Sequence, residues 1–413
     1  MRVRHAVVAG GGIGGLTAAV GLSRRGWRVT VCERAPVLTG IGAGIVLAPN
    51  ALRALEAIGL GPGLGPGRDP ALRAAGDALP IQVGLRTPDG TWLSRSDGGA
   101  VSARHGLSAI AVHRGFLIGT LAAALPPGVV HLGVSVTGLD DTGDTVTVRT
   151  SAGDLRADVV LAADGLRSAL RTYLFPEHRG LRHAGEAGWR AVLPGAGLPD
   201  PQAAETWGRG ERFGVVPLAD GRIYVYATAV SGPGATPRTD HHAELTRRFG
   251  AWHDPIPALL DRLDRSAPDP VGILHHDFHE LAEPVPRMHA GRVALLGDAA
   301  HAMTPNLGQG GCQAIEDAVV AAHLLTPAAD VPTALAAYTR ARHRRTTRIS
   351  RRSRRIGELA RLSHPLAVSA RNLAVRATPR ALSLRALDTI LGWQPPSTPG
   401  PGTGPHRLKR LMP

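Results

Sequence analysis

The sequence predicts an α/β fold: a doubly wound, Rossmann-like domain with an inserted sheet-rich domain and C-terminal helices. Three observations predict it. A glycine-rich turn separates a short apolar run from a helical stretch at the start of the chain, alternating strand patterns fill the stretch from about Gly188 to Val230, and a strand-turn-helix pattern returns near Arg292. At 413 residues the chain also exceeds what one hydrophobic core usually supports.

Val7 and Val8 lie in an apolar run that stops at Gly10, Leu16–Leu22 continues as a helix to Gly26, and Val29–Cys32 is a second strand ending at Glu33. Gly61–Pro70 is a Gly/Pro loop, Phe116–Leu125 a helix, Val129–Val136 and Val146–Thr150 paired strands, and Val159–Ala162 a buried strand stopping at Asp164. Phe213–Pro217 and Ile223–Val230 are strands of the insertion, Arg292–Leu296 is a strand, and a long helix starts near Gln309. The expected division is 1–75, 104–180 and 268–330 for a nucleotide-binding domain, 76–103 and 181–267 for a substrate domain, 331–393 for C-terminal helices, and 394–413 for a flexible tail rich in proline and glycine.

No stretch approaches the roughly 18 apolar residues of a membrane span, and Ala6–Ala9 is too short a run for a secretory signal. With only Cys32 and Cys312, neither a disulfide framework nor a cysteine-rich metal site is expected, and no ligand set clusters elsewhere. A net charge of +14 ordinarily suggests nucleic acid, but Lys409 is the only lysine, so the arginine excess reads as codon bias rather than a phosphate footprint. Arg340, Arg344, Arg348 and Arg352 recur at i, i+4 and read as a solvated helix face, with an anion- or partner-binding surface as the alternative. The expected protein is cytoplasmic, a monomer or homodimer, without nucleic-acid or membrane partners.

Gly10-Gly11-Gly12-Ile13-Gly14-Gly15 satisfies GxGxxG between a strand and a helix. Gly10 makes the tight turn, Gly12 lets backbone approach a pyrophosphate, Gly15 lets helix pack on strand, and the helix N-terminus presents unpaired N–H groups. Glu33, 23 residues after Gly10, is placed to meet the adenosine ribose. This pattern alone leaves NAD and FAD open. Near the other end, Gly297-Asp298-Ala299-Ala300-His301, Pro305 and Gly308-Gln309-Gly310-Gly311-Cys312-Gln313 place a carboxylate at a strand end and a second glycine turn at a helix start. A polyol chain and an electron-rich ring edge need such a second site, whereas a dehydrogenase's NAD does not. The two together point to FAD.

With Gly42–Asn50, Arg114 at a helix start, and Ala163-Asp164-Gly165 with Ser168 and Arg171, these motifs resemble those of the class A, single-component FAD-dependent aromatic-ring monooxygenases of the para-hydroxybenzoate and salicylate hydroxylase superfamily, from about Arg4 to Trp393. The resemblance implies a glutathione-reductase-type FAD domain, non-covalent FAD, and NADPH or NADH as co-substrate. Dioxygen adds at the flavin C4a as a hydroperoxide that hydroxylates an aromatic or heteroaromatic small molecule. It further implies cofactor roles for Gly10, Gly12, Gly14 and Gly15, for Glu33 and Arg34 at the adenosine, Val46 near the flavin, Arg114 at pyrophosphate or ribityl, and Val136. Asp164 would serve FAD or nicotinamide, Asp298 the ribityl or phosphate, and Pro305 with Gly308, Gln309, Gly310, Gly311 and Cys312 the isoalloxazine.

On the substrate side, alternation along Arg222-Ile223-Tyr224-Val225-Tyr226 puts Arg222, Tyr224 and Tyr226 on one strand face, and Arg190 begins the insertion's first strand. Arg190, Arg222 and Tyr224 are the candidate catalytic residues, able to hold a carboxylate or phenolate and orient a hydroxyl; packing is the competing role. His275 and His276 point to opposite faces, His301 is expected to cap or pack, and Cys312 fits as a small packing residue. Epoxidation, oxygenation of a non-aromatic natural product, or a non-oxygenating FAD-binding role remain alternatives.

Overall fold

Strand β1 (His5–Ala9) is buried at every position because it forms the middle of the cofactor half's sheet. In the computed structural model, residues 2–38, 40, 43–60, 84–95, 98–195, 203–234, 240–263 and 272–397 are described. After β1 the chain turns through Gly10 into α1 (Ile13–Ser23) and returns along β2 (Arg28–Glu33), parallel to β1 with Val8 opposite Val31. β3 (Gly44–Leu47) precedes α2 (Pro49–Ala57), which starts on a proline whose fixed φ suits a first helical turn. β4 (Gly84–Arg86) and β5 (Trp92–Arg95) belong to the second sheet, and α3 (Gly98–His105) leads back to β6 (Ile110–His113), antiparallel to β3. The expected helix after it is α4 (Arg114–Ala123), capped by the His113 ring, which accepts the Gly115 N–H.

The single strand expected over Val129–Val136 is two strands. β7 (Val130–Leu132) runs parallel to β2, while β8 (Val136–Asp141) pairs with β9 (Val146–Thr150) in a separate three-stranded sheet completed by β10 (Gly153–Ala157). Gly133, at φ +70°, makes the break, and its N–H and that of Val134 bond back to the Ala35 and Glu33 carbonyls. β11 (Val159–Ala162) then re-enters beside β1, and α5 (Ala169–Leu174) starts on the Ser168 cap.

The insertion comprises β12 (Leu181–Pro194), β13 (Ala204–Trp207), β14 (Glu211–Pro217), β15 (Arg222–Val230), α6 (His241–Phe249), α7 (Ile256–Arg262) and β16 (Leu274–Leu281). Its sheet runs β16-β12-β15-β14-β13-β4-β5. The expected domain boundary at residue 267 therefore falls short, because β16 pairs with β12 along most of its length. Period-two alternation decides the two faces: Trp189, Ala191, Leu193, Phe213, Val215, Ile223 and Val225 pack under α6 and α7, leaving the intervening side chains toward the cofactor half.

The chain returns through β17 (His289–Ala290), β18 (Val293–Leu295), α8 (Asp298–His301), a 3₁₀ turn Pro305–Leu307, and α9 (Gly310–Leu324). The first sheet has the order β17-β18-β11-β1-β2-β7, parallel except for β17. Gly14 and Gly21 on α1 face Ala314 and Ala322 on α9, so the two ends of the chain pack closely through small residues. α10 (Val331–Ala360), α11 (Pro365–Ala377) and α12 (Arg380–Leu391) finish the fold, as the all-helical expectation held. The expected loop Gly61–Pro70, residue Gly42 and most of the tail, 398–413, lie outside the described residues.

Candidate active site

The first glycine turn divides its labour. A Cβ on Gly10, at φ +107°, would lie 2.3 Å from the Ala163 carbonyl oxygen, and one on Gly15 would lie 1.9 Å from the Gly10 carbonyl oxygen, so these two let turn, helix and strands close up. A Cβ on Gly12 would meet nothing within 4 Å, which leaves its backbone open to a ligand at the α1 N-terminus. Gly14, expected at the cofactor, faces Ala314; its missing side chain serves the helix contact. Glu33 accepts the N–H groups of Gly11 (2.6 Å) and Ala35 (2.8 Å), which holds its carboxylate at the lip of this turn beside the exposed Arg34. Val136 lies two residues past Val134, whose N–H meets the Glu33 carbonyl.

The second turn faces the first across the end of the sheet. Asp298 is exposed at the start of α8, and its Oδ1 lies 3.9 Å from where a Gly310 Cβ would stand. Gly308, at φ +61°, has open space where its side chain would be, and Pro305 is exposed beside it. The Gly311 position touches Ile45, and Cys312 donates its thiol to the Val46 carbonyl at 3.5 Å, so β3 covers this turn. Burial pushes the Cys312 thiol up to about 12, which fits a packing residue. Arg114 is exposed at the start of α4, anchored by its N–H to the Ala43 carbonyl. Asp164 accepts the Leu170 N–H through Oδ2, while its Oδ1 is buried without a partner among the described residues. Open backbone at Gly12 and Gly308, an exposed carboxylate at Asp298 and an orphaned oxygen at Asp164 together fit an extended dinucleotide.

Behind the second turn lies a cluster that the sequence reading missed. Arg342, wholly buried, donates to Asp317 Oδ1 (2.7 Å), to Glu316 Oε2, and to Gln313 Oε1 (2.8 Å). Asn50 donates to Gln309 Oε1 (3.0 Å) and Glu316 Oε1 (2.6 Å), and His301 bonds Asp317 Oδ2 at 2.6 Å. Burial opposes the charge on Arg342, but Glu316 and Asp317 outweigh it and raise its pKa. The Gln309 side chain is thereby turned inward, leaving only its backbone for the turn. Arg340, Arg344 and Arg348 are exposed as expected of a solvated face, whereas Arg352 donates to the Ala386 carbonyl at 2.5 Å. The buried arginine sits on the opposite side of the helix; tracking Ala334, Leu335, Tyr338 and Ile349 at helical spacing would have placed Arg342 among them.

On the inserted sheet, Arg190 and Tyr226 are directly opposed, Val192 opposes Tyr224, and Gly188 opposes His276. Three glycines seat three rings: Cβ atoms on Gly44, Gly188 and Gly214 would strike Tyr224, Phe278 and Tyr226 at 2.6, 2.4 and 2.1 Å. The Arg190 guanidinium lies 5.7 Å from the Phe278 ring centre. Burial raises the Tyr224 pKa, and the positive charges of Arg190 and Arg114 partly offset it. His276 is lowered to about 4 by burial, Arg190 and His275, so its imidazole is neutral at pH 7. Arg222 does not join them. It pairs with Asp220 at 2.7 Å in the preceding turn and is 41% exposed. His275 points to the other face as expected, stacked on His241 at 5.0 Å. Arg212, also missed, is buried between Glu186 (2.6 Å) and Glu205, and donates to Asn306 Oδ1 (2.7 Å), tying the sheet to the turn Pro305–Leu307.

This architecture of two opposed glycine turns under an inserted sheet is that of flavin-dependent hydroxylases, and the relatives agree. An FAD binding domain model matches residues 121–353 and an NAD(P)-binding Rossmann-like domain model residues 8–53. Aurachin C monooxygenase/isomerase of Stigmatella aurantiaca is 39% identical over 90% of this chain and 93% of its own length. The 2-heptyl-3-hydroxy-4(1H)-quinolone synthase of Pseudomonas aeruginosa is 35% identical over 91% and 94%. A crystal structure of Klebsiella pneumoniae HpxO complexed with FAD and uric acid superposes with a TM-score of 0.82, at 27% identity, over 94% of this chain and 97% of that one. The chain belongs to the class A FAD-dependent monooxygenases. Its cofactor is FAD.

Proposed function

We propose that this enzyme uses NADH or NADPH and dioxygen to hydroxylate an electron-rich heteroaromatic ring of the 4-quinolone kind. The observation that carries it is a row of neighbours on one face of the inserted sheet: Arg190 and His276 lie 5.7 and 5.8 Å from the Phe278 ring centre, and Tyr224 lies 5.7 Å from Tyr226, whose strand position opposes Arg190. A relative named as a 2-heptyl-3-hydroxy-4(1H)-quinolone synthase supports the substrate class.

FAD would be held by Gly10, Gly12, Gly15, Glu33, Arg34 and Val136 at its nucleotide end. Arg114, Asp164 and Asp298 would take its middle, and Val46, Pro305 and the Gly308–Cys312 backbone its ring. Once bound and reduced, the flavin supplies activation of dioxygen for transfer of one oxygen atom. The chain's own residues supply the rest. Arg190 binds the ring oxygen as an anion, which raises the ring's electron density at the neighbouring carbon. Tyr224, held protonated by burial, donates a hydrogen bond that fixes the ring's orientation, and His276, kept neutral, accepts a hydrogen bond from the ring's N–H or O–H. The sheet above excludes water, which would divert activated oxygen to hydrogen peroxide.

The test follows NAD(P)H oxidation by the flavin-loaded enzyme with 2-alkyl-4-quinolones, hydroxybenzoates and purines, together with product mass and peroxide. The quinolones should accelerate oxidation and yield a product heavier by one oxygen atom. Acceleration by hydroxybenzoates or purines alone would refute the substrate class, and oxidation that ends wholly in peroxide with every compound would refute the hydroxylase reading.

A further inference from the structure

Helix α11 is built inside out. Its buried residue is Arg371, which donates to the Leu359, Ala360 and Gly208 carbonyls and lies 5.2 Å from the Trp207 ring centre. Ala367, Val368 and Val375 are half-buried around it, but a second apolar stripe, Leu366, Ala370, Leu373 and Ala377 at i, i+4, i+7 and i+11, faces outward, with Leu366 76% and Leu373 69% exposed. Leu382 on α12 is also 54% exposed. A helix of a water-facing protein ordinarily shows the opposite arrangement.

Along the chain, the charged side chains of α11 and the first half of α12 are all arginine. Between Glu358 and Asp388 the sequence has Arg361, Arg371, Arg376, Arg380 and Arg385 and no acidic residue. Asp388 is itself paired with Arg104 at 2.5 Å. Arg376, Arg380 and Arg385 are exposed beside the leucines, so the surface offers apolar side chains interleaved with cations. A second copy of this chain would bring like charges together across a two-fold contact. An anionic bilayer presents what the surface lacks, phosphates for the arginines and acyl chains for the leucines, with the arginine stems lying along the interface.

We propose that the outer face of α11 and the first half of α12 docks this enzyme on anionic membrane surfaces. The proposal goes beyond the hydroxylase reading and does not depend on it. No helix among the described residues is long and apolar enough to cross a membrane, so the contact proposed is with the surface, against the expectation of no membrane partner. α11 packs beside β5, the edge strand of the inserted sheet, so the docked face adjoins the substrate half.

The full-length, flavin-loaded protein is centrifuged with sucrose-loaded vesicles of phosphatidylcholine alone and of phosphatidylcholine with one-third phosphatidylglycerol. It should sediment with the anionic vesicles and not the neutral ones, and raising salt to ~0.5 M should release it. The Leu366→Ser/Leu373→Ser variant should bind at least about tenfold more weakly, with flavin content and melting temperature unchanged. The Arg376→Gln/Arg380→Gln variant, altered only at exposed positions, should weaken binding severalfold and serves if the first variant does not fold. Absence of sedimentation with either vesicle, equal binding to both, or unweakened binding by the variants would overturn the proposal. So would a concentration-dependent dimer in ultracentrifugation that the leucine variant abolishes, which would give the face to a second copy.

Discussion

The cofactor half and the substrate half of this enzyme are specified by different parts of the chain's chemistry. In the cofactor half the proposed ligand-facing surface is backbone: two glycine turns at helix starts, with side chains such as Gln309 and Cys312 turned away. In the substrate half the proposed surface is side chains on alternate positions of β12, β15 and β16, seated on glycines that leave room for rings. A backbone site tolerates little change at its glycines and much elsewhere, whereas a side-chain site can change specificity without disturbing the scaffold.

Substitutions at the first glycine turn test this contrast most severely. Gly15→Ala places a Cβ 1.9 Å from the Gly10 carbonyl oxygen and should abolish both flavin retention and cooperative unfolding, whereas Gly12→Ala, in open space, should lose flavin but keep the melting temperature of the apoprotein. Equal damage from both would erase the division between packing and ligand-facing glycines. Next in size is Arg342→Met, which leaves Glu316 and Asp317 buried without their cation and should cost about 3–5 kcal/mol in denaturant unfolding. Asp298→Ala removes an exposed carboxylate and should weaken FAD binding at least about tenfold, read by flavin fluorescence during dialysis, with no loss of stability. Unchanged occupancy would remove Asp298 from the site.

Tyr224→Phe sharpens the contrast from the substrate side. Flavin content should be unaffected, while the fraction of NAD(P)H oxidation that yields product should fall severalfold and peroxide should rise to match. The smallest effect concerns pH. His276 is lowered to about 4 from an ordinary 6.5, so the unfolded chain binds its proton first as pH falls. Its contribution is complete above pH 6.5 and is lost between there and pH 4, and the ring's exposure to the chamber keeps the loss small. His276→Gln should flatten that stretch of the stability–pH curve slightly; an unchanged slope would show that the ring titrates normally.

The cofactor half was legible in the sequence because glycine spacing and a strand-end acid report backbone geometry directly. The structure puts Gly10, Gly12 and Gly15 in one turn with Glu33 bonded to its Gly11 N–H, and Asp298 3.9 Å from where a Gly310 side chain would stand. Period-two alternation likewise put Tyr224 and Tyr226 on one face. What escaped depends on partners far apart along the chain. Arg222 has the right strand phase, but Asp220 two residues earlier captures it. Arg212 and Arg342 look like surface arginines until Glu186, Glu205, Glu316 and Asp317 are brought around them, and β16 could not be assigned to the insertion without its pairing to β12.

Both cysteines are buried, and burial pushes each thiol's pKa upward. Thiolate is therefore scarce at either position, and maleimide reagents should leave the folded enzyme unlabelled. A single cysteine introduced at Leu366, whose side chain is 76% exposed, would be the sole reactive handle, giving a dye or spin label one address with no background substitutions needed.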